Sequence, residues 1–235
     1  MRYALYFTPP PGDDLARLGA RWLGRDAFTG AATAQPEIAG LDAEAFAEIT
    51  AEPRRYGFHG TLKAPFALHE GQSEVALFAA AEAFARATPA FEAGPMHVAD
   101  LRGFLAVVPA GPAPDLDGFA AACVEAFEPF RAPLSPAQLA RRHASGLTPR
   151  QADYVDRWGY PYVFEEFRFH MTLTRRLEPD LARTVLAAAA AHFGVALADP
   201  VRGTHLAIFV ERAPGAPFEV AALFPLAGGE GKAGA

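Results

Sequence analysis

The sequence predicts an α+β fold built from two halves of like design. Three observations carry this reading. The segments Phe58-His59-Gly60-Thr61-Leu62 and Phe169-His170-Met171-Thr172-Leu173 repeat one Phe-His-x-Thr-Leu pattern in a chain of 235 residues that has only seven histidines. Each copy alternates with the period of a strand. His59, Thr61 and Lys63 oppose Phe58, Gly60 and Leu62, and Arg168, His170, Thr172 and Thr174 oppose Phe167, Phe169, Met171 and Leu173. Each copy is followed by an alanine-rich stretch of helical period and then by a pair of strand-like runs.

Arg2 to Thr8 is rich in aromatics and ends at Pro9-Pro10-Pro11-Gly12, a strand closed by a turn. Asp13 or Asp14 caps a helix whose buried face holds Leu15, Leu18, Trp22 and Leu23. Asp26 to Gly40 is aperiodic and reads as a loop, and Leu41 to Thr50 as a short helix. After the first histidine strand, Ser73 opens a helix to about Ala87, with Val75, Phe78, Ala81 and Phe84 in register. Phe91 to Asp100 and Gly103 to Val108 read as two strands around a tight turn, and Asp117 to Phe127 as a helix. Residues 133–159 change character and suggest two short helices forming a bridge or lid. The second half then runs through the His170 strand, a helix from Pro179 to Phe193, and strands Arg202 to Arg212 and Phe218 to Leu226. The expected division is a first lobe over 1–132 with His59, the bridge over 133–159, a second lobe over 160–227 with His170, and a disordered tail over 228–235.

Bulk composition narrows the function. Half the residues are apolar, a fifth are charged, and the formal charge is −6 with no long basic run. An extended nucleic-acid surface would need clustered Lys and Arg, so none is expected, although a small basic pocket is compatible with this balance. Cys123 is the single cysteine. It precludes an internal disulfide, and its helical setting makes it a structural thiol. The short apolar run at the N-terminus does not read as a signal sequence, and no stretch is long and apolar enough to span a bilayer, so a cytoplasmic protein is expected. No His-x-x-x-His and no glycine-rich phosphate loop appears, so neither a metal nor any other cofactor is expected, and nucleoside triphosphate hydrolysis is disfavoured.

Two facing imidazoles near neutrality can be held one neutral and one protonated, a general base and a general acid in one site. Hydrolysis of a phosphodiester needs that pair. His59 and His170 are the candidate catalytic residues, and Thr61 and Thr172, two positions along on the same face, the candidate phosphate ligands. Lys63 and Arg168 are candidates for further phosphate contacts, and Tyr6 and Tyr56, with Tyr160 and Tyr162, for stacking on a sugar or base. Arg141, Arg142, His143 and Arg150 read either as a basic lid or as a solvated helix face.

The run from Arg55 through the first motif to Phe66, and Trp158-Gly159-Tyr160-Pro161-Tyr162 leading into the second motif, resemble the two-histidine (2H) phosphoesterase superfamily. Within it they look like the branch encoded with bacterial phosphonate-utilisation genes, as does the opening Arg2 to Phe7. The superfamily includes RNA 2′,3′-cyclic phosphodiesterases and 2′-5′ RNA ligase-like proteins. The resemblance implies a bilobed fold, two pseudo-symmetric antiparallel-sheet lobes with outer helices around a central cleft, and it carries His59, Thr61, His170 and Thr172 over as the catalytic set. Gly60 departs from the alanine frequent in the family. The expected activity is metal-independent hydrolysis of a small cyclic or linear phosphodiester, tied to phosphonate metabolism. An RNA-end enzyme and a non-catalytic module that binds a phosphorylated ligand are the alternatives. A small phosphodiester is the expected partner, and the sequence does not speak to oligomeric state.

Overall fold

A computed structural model describes residues 1–229. The tail expected from Gly228 onward lies almost wholly outside them. The first half runs β1 (Arg2–Phe7), α1 (Asp14–Leu23), α2 (Ala43–Ile49), α3 (Ala51–Tyr56), β2 (Gly60–Phe66), α4 (Glu74–Ala87), β3 (Phe91–Gly94), β4 (Met96–Asp100), β5 (Leu105–Pro109) and α5 (Pro114–Ala126). There follow α6 (Pro136–His143), α7 (Pro149–Trp158), β6 (Met171–Thr172), α8 (Pro179–Phe193), β7 (Val201–Gly203), β8 (His205–Glu211) and β9 (Glu219–Pro225).

The fold is α+β. Seven strands form one sheet in the order β4-β5-β6-β2-β1-β8-β9, every neighbour antiparallel, and β3 and β7 form a separate two-stranded ladder. After their histidines, the two halves match element for element as strand, helix, short strand and hairpin. The halves do not, however, each build their own lobe. The hairpin β4-β5 of the first half lies beside β6 of the second, and the hairpin β8-β9 of the second half lies beside β1. The helices cross over too, α4 packing on β8 and β9, and α8 on β4. A boundary at the 133–159 bridge therefore does not divide the sheet.

Local backbone chemistry explains the crossing. The strand expected over Phe91 to Asp100 breaks where Gly94, at φ +79°, meets Pro95, which has no N–H to offer a ladder. That break sends β3 to pair with β7 and lets β4 enter the large sheet. The strand expected from Arg202 divides likewise at Thr204.

One face of the sheet carries the main core. Tyr3, Leu5, Phe7, Phe58, Leu62, Phe169, Met171 and Leu173 meet Leu15 and Trp22 of α1, Leu77 and Ala81 of α4, Phe119 and Cys123 of α5, and Val185 and Phe193 of α8. Each such fully buried large side chain contributes roughly 1.5–3 kcal/mol relative to exposure. The other face, at Ala4, Tyr6, Ala207 and Phe209, carries a smaller apolar cluster closed by Phe218. Helices α6 and α7 stay outside the main core. Their starts are set by two like signals, Ser135-Pro136-Ala137-Gln138 and Thr148-Pro149-Arg150-Gln151, each a reciprocal capping box with proline in the first turn.

Candidate active site

The two histidines sit at matching points, each one residue ahead of its strand, and each makes the same bond. His59 Nδ1 donates to the carbonyl of Gly57 (2.9 Å), and His170 Nδ1 to that of Arg168 (2.8 Å). A carbonyl oxygen only accepts, so Nδ1 carries the hydrogen in both rings and Nε2 is left for chemistry. Gly57 makes this possible on the first side. It ends α3 at φ +79°, where a side chain is strained, and a Cβ there would lie 2.5 Å from Ala27 Cβ. Helix α3 itself, absent from the sequence reading, continues the chain after a break at Thr50 and delivers that turn.

Gly60 and Met171, each following its histidine, are paired, and this single register pair joins β2 to β6. A Cβ on Gly60 would fall 2.3 Å from the Phe169 ring, so glycine here lets the two motif strands close up. His59, Thr61, His170 and Thr172 all line one open cleft of about 750 Å³. Thr61 Oγ1 lies 3.3 Å from His59 Nε2. Thr174, on the same face, is spent on structure: its Oγ1 accepts from the Leu105 N–H.

The environments of the two rings differ. His59 stacks on Tyr6 with ring centroids 3.8 Å apart and lies near Tyr56 and Phe209. That burial lowers its pKa to about 4, the Gly57 carbonyl opposing and a charge on His170 adding to the effect. His170 meets the edge of Phe104. The cleft is locally cationic although the chain is acidic overall: Arg2, Arg142, Arg175 and Arg176 line it, against Glu52 as its single carboxylate among the described residues. Its volume is that of a small-molecule site.

Several expected contacts fall elsewhere. Lys63 is buried, bonded to the Val124 carbonyl (2.9 Å) and paired with Glu128 (2.7 Å), and lines a small side pocket rather than the cleft. The end of α5 covers β2 just past Thr61. Arg168 is exposed, and its guanidinium donates to the carbonyls of Glu165 and Phe167, because residues 167–170 precede the strand instead of lying in it. Tyr6 lines the cleft with Tyr56 and Tyr160, though buried beneath His59 so that it holds the ring, and Tyr162 does not. Of the basic group on the bridge only Arg142 reaches the cleft. Arg141 lines the side pocket, His143 pairs with Asp156, and Arg150 with Glu165. Arg2, Arg175 and Arg176 were not anticipated. Arg2 shares the parity of Tyr6 in β1, and the two other arginines directly follow Thr174, which are the signals that point to them.

Cys123 is fully buried, and burial pushes its thiol pKa up. Among the described residues no three His, Cys, Asp or Glu side chains converge as a metal site, and no helix is long and apolar enough to cross a membrane.

The chain belongs to the family described as Protein of unknown function (DUF1045), whose model matches residues 61–219. The match takes in Thr61, His170 and Thr172 and begins two residues after His59. Two relatives bear the name ribose 1,5-bisphosphate phosphokinase PhnN. One, from Janthinobacterium sp. (strain Marseille), is 43% identical over 221 residues, covering 92% of this chain and 49% of the relative. The other, from Laribacter hongkongensis (strain HLHK9), is 43% identical over 223 residues, covering 95% and 51%. This chain thus spans about half the length of these curated relatives. A solved structure described as a phosphoesterase aligns over 96% of this chain and 98% of its own, at 15% identity and a TM-score of 0.42.

Proposed function

We propose that the protein is a metal-independent phosphodiesterase acting on a small cyclic or linear phosphodiester, with His59 and His170 as base and acid. The observation that carries this is the matched pair of Nδ1–carbonyl bonds, which commits both Nε2 atoms to one cleft beside two threonines. Burial keeps His59 neutral at pH 7 and so available as the base, which leaves His170 the role of the acid. In hydrolysis His59 Nε2 takes a proton from water as the water oxygen bonds to phosphorus. The bond from phosphorus to the leaving oxygen breaks, and His170 Nε2 protonates that oxygen. Exchange with solvent returns the pair to its starting state. Thr61 and Thr172 donate to the non-bridging oxygens, and the cleft arginines offset their charge.

The resemblance to the phosphonate-associated branch of 2H phosphoesterases supports a role in phosphonate metabolism. The kinase name of the two relatives concerns ribose 1,5-bisphosphate, which favours a phosphorylated pentose as the alcohol part of the diester. This chain has no glycine-rich phosphate loop, so in this reading their kinase activity belongs to the half it does not cover. The test is a screen of 2′,3′-cyclic nucleotides, pentose cyclic phosphates and short RNAs, with and without a chelator. Chelator-insensitive turnover of the small cyclic diesters is expected. Turnover of RNA ends alone, or ligand binding with no turnover, contradicts it.

A further inference from the structure

We propose that the side pocket bounded by Arg142, Arg2 and Tyr160 is a subsite for a second anionic group of the substrate, a phosphomonoester remote from the scissile diester. The proposal rests on the phosphodiesterase reading above and specifies what its substrate carries. The pocket, about 120 Å³, adjoins the cleft, since these three residues line both spaces. That volume admits several waters, hence an anion with four oxygens.

Arg142 is the telling residue. Its Nε is buried with no hydrogen-bond partner, and it forms no ion pair among the described residues. Its neighbours aggravate this, because Arg141, Arg131 and Arg2 all oppose its charge and only Tyr160 favours it. The carboxylates that pair with the pocket's other cations are each shared by two of them already, Glu211 by Arg2 and Arg55, and Glu128 by Lys63 and Arg131. A half-buried guanidinium whose Nε has no partner, amid surplus positive charge, gains when an anion arrives. The planar fork of arginine fits a phosphate in two-pronged fashion. The arginines at the other side of the cleft are unlike it: Arg175 pairs with Glu48, and Arg176 donates to the Arg102 carbonyl.

The test compares kcat/KM for adenosine 2′,3′-cyclic phosphate with and without a 5′-phosphate. The wild type is expected to prefer the 5′-phosphorylated form roughly 10–10²-fold, the range of charge-assisted hydrogen bonds. In Arg142→Ala that ratio falls toward one, and Arg142→Lys, which keeps the charge and loses the fork, gives an intermediate ratio. A wild-type ratio of one, or the same ratio in wild type and variants, overturns the subsite. A second arm needs no turnover: inorganic phosphate should raise the melting temperature of the wild type, His59→Ala and His170→Ala alike, and that of Arg142→Ala much less. Equal protection of Arg142→Ala overturns the proposal. Persistent turnover in the histidine variants overturns the catalytic reading instead, so the two failures are distinct.

Discussion

At the residue scale, two hydrogen bonds to backbone carbonyls decide what the imidazoles can do, because they leave one basic nitrogen per ring and aim it at the cleft. Alternation along the sequence set each histidine on the face of its threonine and did not reach these bonds. The burial that separates the two rings was not legible, since nothing in the motif says that Tyr6 stacks on one of them. A pH dependence follows. His59 stays neutral as pH drops through the ordinary imidazole value and protonates near 4. The acid limb of kcat/KM should therefore lie well below pH 6.5; a limb at or above that value rejects His59 as the base. The same shift bears on folding. Between about pH 6.5 and 4 the unfolded chain binds the proton and the folded one does not, so the contribution of His59 to stability, full above that window, declines as pH falls through it. Lys63 makes the opposite lesson. Its parity placed it beside the motif, whereas its partner Glu128 was invisible at 65 residues' separation. Lys63→Met should lower stability by about 1–3 kcal/mol by leaving polar partners unpaired. An unchanged unfolding midpoint counts against that role.

At the scale of elements, the junction of β2 and β6 spaces the two imidazoles, and Gly60 against Phe169 sets how closely the strands meet. Gly60→Ala should cost about 1–3 kcal/mol through overpacking. It should also lower turnover, since Phe169 must shift and His170 follows it in the chain; denaturant unfolding and steady-state kinetics read both effects. If the variant matches the parent in both, the junction is looser than its geometry implies. Most helices were legible because their caps and period are local: Asp13 and Ser73 each accept a backbone N–H at the starts read from the sequence, whereas α3 begins with no side-chain cap and was not. Strand neighbours were not. Alternation tells which face a residue takes and is silent about the partner strand, so the exchange of hairpins between halves could not be read from the chain.

At the scale of the whole molecule, a chain of net charge −6 presents a cleft lined by four arginines and one glutamate. Local focusing should prevail over the overall charge, so kcat/KM for an anionic diester is expected to fall as salt is added. A rise with salt means that the overall charge governs encounter. The α+β class and the convergence of the two motifs could be anticipated because one pattern, repeated, names two equivalent strands. The crossing topology and the side pocket arise from contacts between distant segments and emerge only from the fold. The two-histidine mechanism is tested most directly by the turnover of a cyclic phosphodiester by His59→Ala and His170→Ala, each compared with the parent by rate and by melting temperature. Each variant should fold normally and lose roughly 10²–10⁴ in kcat, the contribution of a positioned acid or base. A variant of either histidine that folds and turns over at the parent's rate contradicts the account.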